Sequence, residues 1–268
     1  CPFVSSGNNM LKPIRSRLAA LLAGSLLFGA VAARAGDISN EYRLTAYPSY
    51  RITDKIRGIG YLGWVSKPDG NYNAYYGATG AYSQPKPWLQ YWLGVITVYT
   101  DFNQESDDLA STLELRPFAG VKFMGANQNT NWRYYNWTRY ELRETQNRDT
   151  GDWSTVHRLR NQVRIEIPFA AKERTWTPKS WYLLADVEPI YRSDTGQIDP
   201  LRLRAGLGYI ANPRLLVEFQ YYNQFTRPNG GSLEYTDNII RLNFKILTKD
   251  GLLSGLGGAD TLEGGAGN

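Results

Sequence analysis

The chain has 268 residues, 42% hydrophobic and 13% aromatic, with a mean hydropathy of −0.44. Outside the N-terminal segment no apolar run reaches the length of a membrane helix, which excludes a polytopic helical membrane protein. The net charge of +5 falls to +1 once residues 1–35 are set aside, since Lys12, Arg15, Arg17 and Arg34 lie there without an acid and leave 26 bases against 25 acids; the compositional case for nucleic acid goes with it.

In chain order, residues 1–9 precede Met10 and read as an upstream extension outside the natural chain. Met10 is followed by three bases, the apolar stretch Leu18 to Ala33 and the small-residue site Ala33-Arg34-Ala35, the pattern of a secretory signal peptide over 10–35 cleaved after Ala35. A membrane anchor is the alternative, but the stretch is 16 residues where spanning takes about 20. Cys1 is the only cysteine, so an exported chain starting after Ala35 has no disulfide and relies on packing and hydrogen bonding.

From 41 to 246 the pattern has period two, in eleven segments divided by polar or Gly/Pro/Asn/Asp punctuation: 41–52, 55–66, 72–83, 88–100, 110–124, 132–145, 154–167, 181–193, 200–210, 213–226 and 235–246. Tyr42, Leu44, Ala46, Tyr50 and Ile52 oppose Glu41, Arg43, Thr45, Ser49 and Arg51. Near the end, Ile240, Leu242, Phe244 and Ile246 oppose Ile239, Arg241, Asn243 and Lys245. Connections at 84–87 and 211–212 are tight, whereas 101–109, 146–153, 194–199 and 227–234 are longer, and the two kinds alternate as they do on the two rims of a membrane barrel.

Alternation alone also fits a soluble sandwich or barrel. Segment length is more selective, because ten or more residues exceed the usual globular strand and match a tilted bilayer-crossing one. Aromatic residues near segment ends point the same way, Trp64, Trp88, Trp132, Trp153, Trp181, Tyr209 and Tyr235 together with Tyr72, Tyr82 and Tyr99, as in an interfacial girdle. The expected fold is all-β, an antiparallel transmembrane barrel over 36–247 with ten to twelve strands, short periplasmic turns and longer extracellular loops. Twelve is favoured over the eleven segments counted because bacterial single-chain barrels have even strand numbers. Its partners are outer-membrane lipid, lipopolysaccharide and the barrel-assembly machinery of a Gram-negative cell; no nucleic acid and no cofactor are expected.

The opening Glu41-Tyr42-Arg43-Leu44, the tight hairpin at Thr53-Asp54-Lys55, the run from Arg202 to Tyr209 and the closing Arg241-Leu242-Asn243-Phe244 resemble the outer-membrane barrels grouped as domain of unknown function 2490, over residues 37–247. The resemblance implies the fold and carries no activity. Phe244 departs from the usual C-terminal aromatic in being followed by Lys245-Ile246-Leu247 and a tail. That tail, 248–268, holds Gly255, Gly258, Asp260 and Leu262 at the spacing of a calcium-binding nonapeptide and so resembles the start of an RTX-type repeat, with Asp260 as the candidate ligand. A Gly-rich extension is the preferred reading, since fewer than three repeats bury no stacked core.

No Walker loop, dinucleotide fingerprint, Cys/His metal spacing or nucleophile elbow occurs. His157 is the only imidazole candidate for catalysis; it shares the apolar parity of Leu159 and Val163, and Ser154 and Asn161 are its neighbours in sequence alone. The polar faces carry sixteen bases against seven acids, among them the luminal set Arg43, Arg57, Arg116, Arg139, Arg158, Arg160, Arg164, Glu166, Glu188, Arg202, Arg204, Glu218 and Arg241. The expected role is structural, or passive passage of small solutes, anions in particular, through that interior. The alternatives are an outer-leaflet lipid-acting enzyme using His157 and a soluble periplasmic binding barrel whose apolar faces line a cavity. An arginine at Leu242, on the lipid side, is expected to cost far more than one at Asn243, on the luminal side.

Overall fold

The computed structural model describes residues 38–68, 72–102, 111–127, 131–169 and 176–247. These form eleven strands: β1 (Ser39–Arg51), β2 (Ile56–Lys67), β3 (Tyr72–Lys86), β4 (Leu89–Phe102), β5 (Thr112–Asn127), β6 (Trp132–Asn147), β7 (Trp153–Pro168), β8 (Trp181–Arg192), β9 (Gln197–Asn212), β10 (Leu215–Thr226) and β11 (Glu234–Leu247). Each expected segment is a strand. The shortest has 12 residues, about 40 Å of extended chain at about 3.3 Å per residue. No helix among the described residues is long and apolar enough to cross a membrane, a statement that leaves strands aside.

Every strand pairs with its neighbour in sequence, and β1 pairs with β11 to close the barrel. The closure is parallel, from Ser39↔Asp237 to Ser49↔Leu247, whereas the other ten pairings are antiparallel. This corrects the expectation of a wholly antiparallel barrel with an even strand number. Each hairpin reverses the chain, so an odd count brings the first and last strands together in the same direction. Closure still satisfies the backbone, because neither edge strand is left with unpaired donors and acceptors.

Connections sort onto two rims. At one rim β1 leads to β2, β3 to β4, β5 to β6, β7 to β8 and β9 to β10, with the turns 52–55, 87–88 and 213–214. The other carries 68–71, 103–111, 148–152, 193–196 and 227–233. They are called here the turn rim and the loop rim. The four long connections read from the sequence join strands at the loop rim, but the twelve residues 169–180 join β7 to β8 at the turn rim, so length does not separate the two rims as expected.

Side chains follow the period of two, with the polar set inward. Glu218, Glu141 and Gln90 are 0% exposed, whereas Leu93 is 69% and Leu62 is 62% exposed. The exterior is therefore apolar and the interior charged, the inverse of a soluble barrel. Among the described residues, outward positions carry charge only toward strand ends, at Asp101, Glu144 and Glu234. The soluble binding-barrel alternative needs apolar faces turned inward, whereas among the described residues large apolar side chains such as Leu62, Leu93 and Phe219 are exposed.

Of the aromatic girdle, Trp64, Trp88, Trp153 and Trp181 are exposed on the outer face. Trp132 and Tyr209 are half-buried and outward. Trp88 stacks on Phe123 and Trp181 tilts against Tyr209, both at the turn rim. Tyr235 is a correction: it is buried on the inward parity of β11, as is Tyr82 on β3, where Tyr72 is inward and half-buried. A position near a strand end settles the depth of a ring but not its side, which only the parity of its own strand determines.

Candidate functional site: the charged interior

Strands β5 to β11 and β1 point their charged residues into one shared interior, where Glu141, Glu188, Glu218, Arg158 and Arg164 among them are buried. Burial of this kind is tolerable where charges meet partners, and most of these charges do so in connected groups. Toward the turn rim, Glu218 on β10 accepts from Arg164 of β7 at 2.6 Å, Lys245 of β11 at 2.6 Å, the Tyr182 hydroxyl of β8 at 2.7 Å and Gln220 Nε2 at 2.7 Å. Asn243 Nδ2 donates to it at 3.3 Å, and Arg164 also meets Glu166 at 2.8 Å.

At mid-height Glu188 on β8 takes Arg160 at 2.6 Å, Arg204 at 2.9 Å and Arg202 at 3.7 Å, while Arg204 also contacts Asp186. Arg241 has hydroxyl partners instead: its NH1 donates to the Tyr222 hydroxyl at 2.9 Å, its Nε to Thr45 Oγ1 at 3.3 Å, and its NH2 to Tyr47. Arg43 pairs with Glu41. Toward the loop rim, Glu141 holds Arg139 at 2.7 Å and Arg160 at 3.0 Å, with Arg158 3.9 Å away. Glu114 holds Arg116, and Arg143 at 2.8 Å. Arg57 lies at the turn rim, across from Arg51 and Tyr82.

Every residue of the expected luminal set is thus on the inward parity, and all but Arg57 belong to this network or meet its aromatic rings. Asp237 and Lys67 also belong and are absent from that set; they pair at 2.7 Å, with Ser39 and Gln224 completing the shell of Asp237. Their parity, two residues from Ile239 and from Val65, carried the signal.

A second part of the interior has no counterpart in the sequence reading. Strands β2 to β4 contribute rings and small residues: Tyr82 stacks on Trp92 at 4.5 Å, Trp92 lies 5.2 Å from Trp137, and Tyr61 bridges Tyr47 and Tyr76 at 5.0 and 6.0 Å. Guanidinium and ammonium groups lie over this surface, Arg139 4.5 Å from the Trp137 ring centre and Lys122 4.1 Å from Tyr135. Such contacts help a desolvated cation where carboxylates are too few. At the turn rim, Trp176 folds in from the 169–180 connection, donates to Asn131 O at 2.8 Å, and packs with Tyr182, Leu184, Ile210, Leu216 and Leu247 as an apolar plug. Arg133 stacks on it at 3.6 Å.

His157 stands on the outer surface near the loop rim, its Nδ1 hydrogen-bonded to the Tyr140 hydroxyl and its backbone N–H donating to Ser193 Oγ at 3.1 Å. Ser154 Oγ donates to the Thr145 carbonyl instead of approaching the imidazole. Asn161 also faces outward and exchanges amide hydrogen bonds of 3.1 Å with Asn136, while its Nδ2 reaches Thr138 at 2.8 Å. Asp260 and the tail lie outside the described residues, as does the segment 10–35. No cluster of His, Cys, Asp and Glu suited to a metal ion occurs among the described residues.

No curated protein matches this sequence. The family described as Protein of unknown function (DUF2490) matches residues 32–234, three quarters of the chain and ten of its eleven strands in full, and the chain belongs to that family.

Proposed function

We propose that the protein is a Gram-negative outer-membrane barrel with a structural role, its lumen shut by its own side chains and its outer face in contact with outer-membrane lipid and lipopolysaccharide. The observation that carries this reading is the inverted burial: charges packed inside, large apolar side chains exposed outside. An exterior of that kind in water is a large aggregation-prone patch, and in lipid it is the ordinary lipid-facing surface. The Trp176 plug at the turn-rim end and the Tyr, Trp and Arg contacts along β2 to β4 and β6 favour a structural role over passive passage. The protein reaches this site through export, signal-peptide cleavage and the barrel-assembly machinery.

Membrane fractionation followed by carbonate and urea washing tests the location; a protein released by the washes is not an integral barrel. Planar-bilayer recording tests the closed lumen. The expected trace is flat, and a steady anion-selective conductance moves the assignment to a passage role. The outer-surface imidazole is hydrogen-bonded to a phenol and has no serine hydroxyl against it, which favours a non-enzymatic role; lipid hydrolysis lost in His157→Ala would reverse that.

A further inference from the structure

The interior toward the loop rim is unbalanced. On β5 to β7 it gathers Arg116, Arg139, Arg143, Arg158 and Arg160 around two carboxylates, Glu114 and Glu141. Glu188 and Asp186 do not relieve the excess, since Arg202 and Arg204 already match them in number. The ladder sets Arg139 directly across from Arg160, and sets Arg158 between Glu141 on β6 and Arg192 on β8, the latter paired with Asp194 and Asp199. Like charges in opposed positions repel and are normally avoided. Arg158 is 6% exposed, its Nε makes no hydrogen bond, and its one ionic contact is at 3.9 Å. Glu141 Oε2, the oxygen facing Arg158 Nε, also lacks a hydrogen bond; closing that gap would satisfy both atoms but leave the excess of positive charge unchanged. Among the described residues three positive charges remain without a carboxylate of their own, and that of Arg158 is also withdrawn from solvent, a state that proteins seldom hold without a bound counter-ion.

We propose that this half of the interior is a binding site for a phosphate-type oxyanion, held by the guanidinium groups of Arg158, Arg116 and Arg143. A guanidinium presents paired N–H donors matched to the oxygens of phosphate. The ligand enters from the loop rim, where the side chains of Arg143 and Arg192 keep 32% and 29% of their surface in solvent. The Trp176 cluster lies at the opposite end, so a ligand admitted at the loop rim does not pass through. The oxyanion is either free or the phosphomonoester of a lipid headgroup. The site follows from the barrel interior alone and does not depend on the membrane reading.

The test is calorimetric titration of the full chain, folded in detergent micelles at low salt, with inorganic phosphate and separately with a short-chain phosphatidate. Saturable binding of one ligand per chain is expected, with a raised unfolding temperature. Binding should be at least tenfold weaker in Arg158→Gln and in Arg158→Lys, which keeps the charge and loses the fork, and unchanged in Arg57→Gln at the far rim. Without ligand, Arg158→Gln should unfold no earlier than the parent, because it removes an uncompensated charge. Binding of inorganic phosphate identifies a free ion, and binding of phosphatidate alone identifies a headgroup. The proposal is overturned by no saturable binding of either, or by equal binding in the parent and the Arg158 variants. If both Arg158 variants fail to fold, Arg143→Gln and Arg116→Gln carry the same tenfold criterion. A chain that fails the membrane fractionation can be titrated in plain buffer, so the two readings fail separately.

Discussion

The two halves of the interior wall solve one problem with opposite chemistry. On β2 to β4 the space is filled by volume: Tyr61, Tyr76, Tyr82, Trp92 and Ile96, with Gly80 and Gly94 where strands or rings come close. A Cβ on Gly94 would meet the Phe118 ring at 2.7 Å. On β7 to β11 the space is filled by charge, with Glu218 and Glu188 each shared among several cations. Close packing tolerates swaps that conserve volume and resists loss of volume. A desolvated ion network tolerates no change of charge that leaves a partner behind. The halves should therefore respond to different kinds of substitution.

The largest effect is expected at Glu218. Glu218→Gln conserves shape and removes the charge shared by Arg164 and Lys245, and should cost about 3–5 kcal/mol, the usual result of breaking a buried pair from one side. Urea unfolding in micelles measures it. A cost under about 1 kcal/mol would show that the network is wet rather than desolvated.

In the other half the same loss should require truncation. Trp92→Ala, which removes the ring stacked between Tyr82 and Trp137, should cost about 3–5 kcal/mol. Ile96→Leu nearby should cost less than about 1.5 kcal/mol. Equal costs for these two would erase the contrast between the walls.

The outer face supplies a third kind of response. Leu242→Arg faces outward from the middle of β11 and should cost about 2–4 kcal/mol at the bilayer midplane, seen as loss of the heat-modifiable band in outer-membrane extracts. The comparison residue Asn243 is not the neutral luminal site that parity alone implies. It is 3% exposed and bonded to Thr45 and Glu218, so an arginine there meets a full interior beside Lys245 and loses its expected tolerance. Retention of folded barrel in Leu242→Arg would count against lipid on that face.

The smallest effect lies in the loop between β8 and β9. Hydrogen bonds from Arg192 to Asp194, at 3.1 Å from Nε and 2.5 Å from NH2, hold the Asp194 carboxyl below the ordinary carboxylate range. A lowered folded-state pKa gives stability that is complete above the ordinary value of about 4 and lost as the pH falls through the lowered one. The pair is solvent-exposed, so salt should screen most of the effect. Unfolding curves of the parent and Asp194→Asn should differ slightly at neutral pH and converge in acid.

Much of this architecture is legible in the chain, and the reasons are local. A strand sends alternate side chains to opposite faces, so the run Ile240, Leu242, Phe244, Ile246 against Arg241, Asn243, Lys245 already separates outside from inside. The same rule read strictly from Ile239 also places Asp237 and Tyr235 inside, against the expectation that a tyrosine near a strand end belongs to the girdle. The segments and the inward arginines follow from period and punctuation, whereas the length of 169–180 on the turn rim does not.

What period cannot supply is which strand faces which across the lumen. Glu218 meets Arg164, which is 54 residues earlier in the chain, and the two touch only because eleven strands close on themselves. Closure also decided that β1 and β11 run parallel, that Tyr, Trp and Phe side chains complete the filling of the interior, and that the 169–180 connection turns Trp176 inward. Within a strand each residue's face is set by its own backbone, so the sequence determined the two surfaces of this protein. The pairing of charges, the filling of the lumen and the surplus of arginine near the loop rim depend on contacts between strands far apart in sequence, and those the tertiary structure decided.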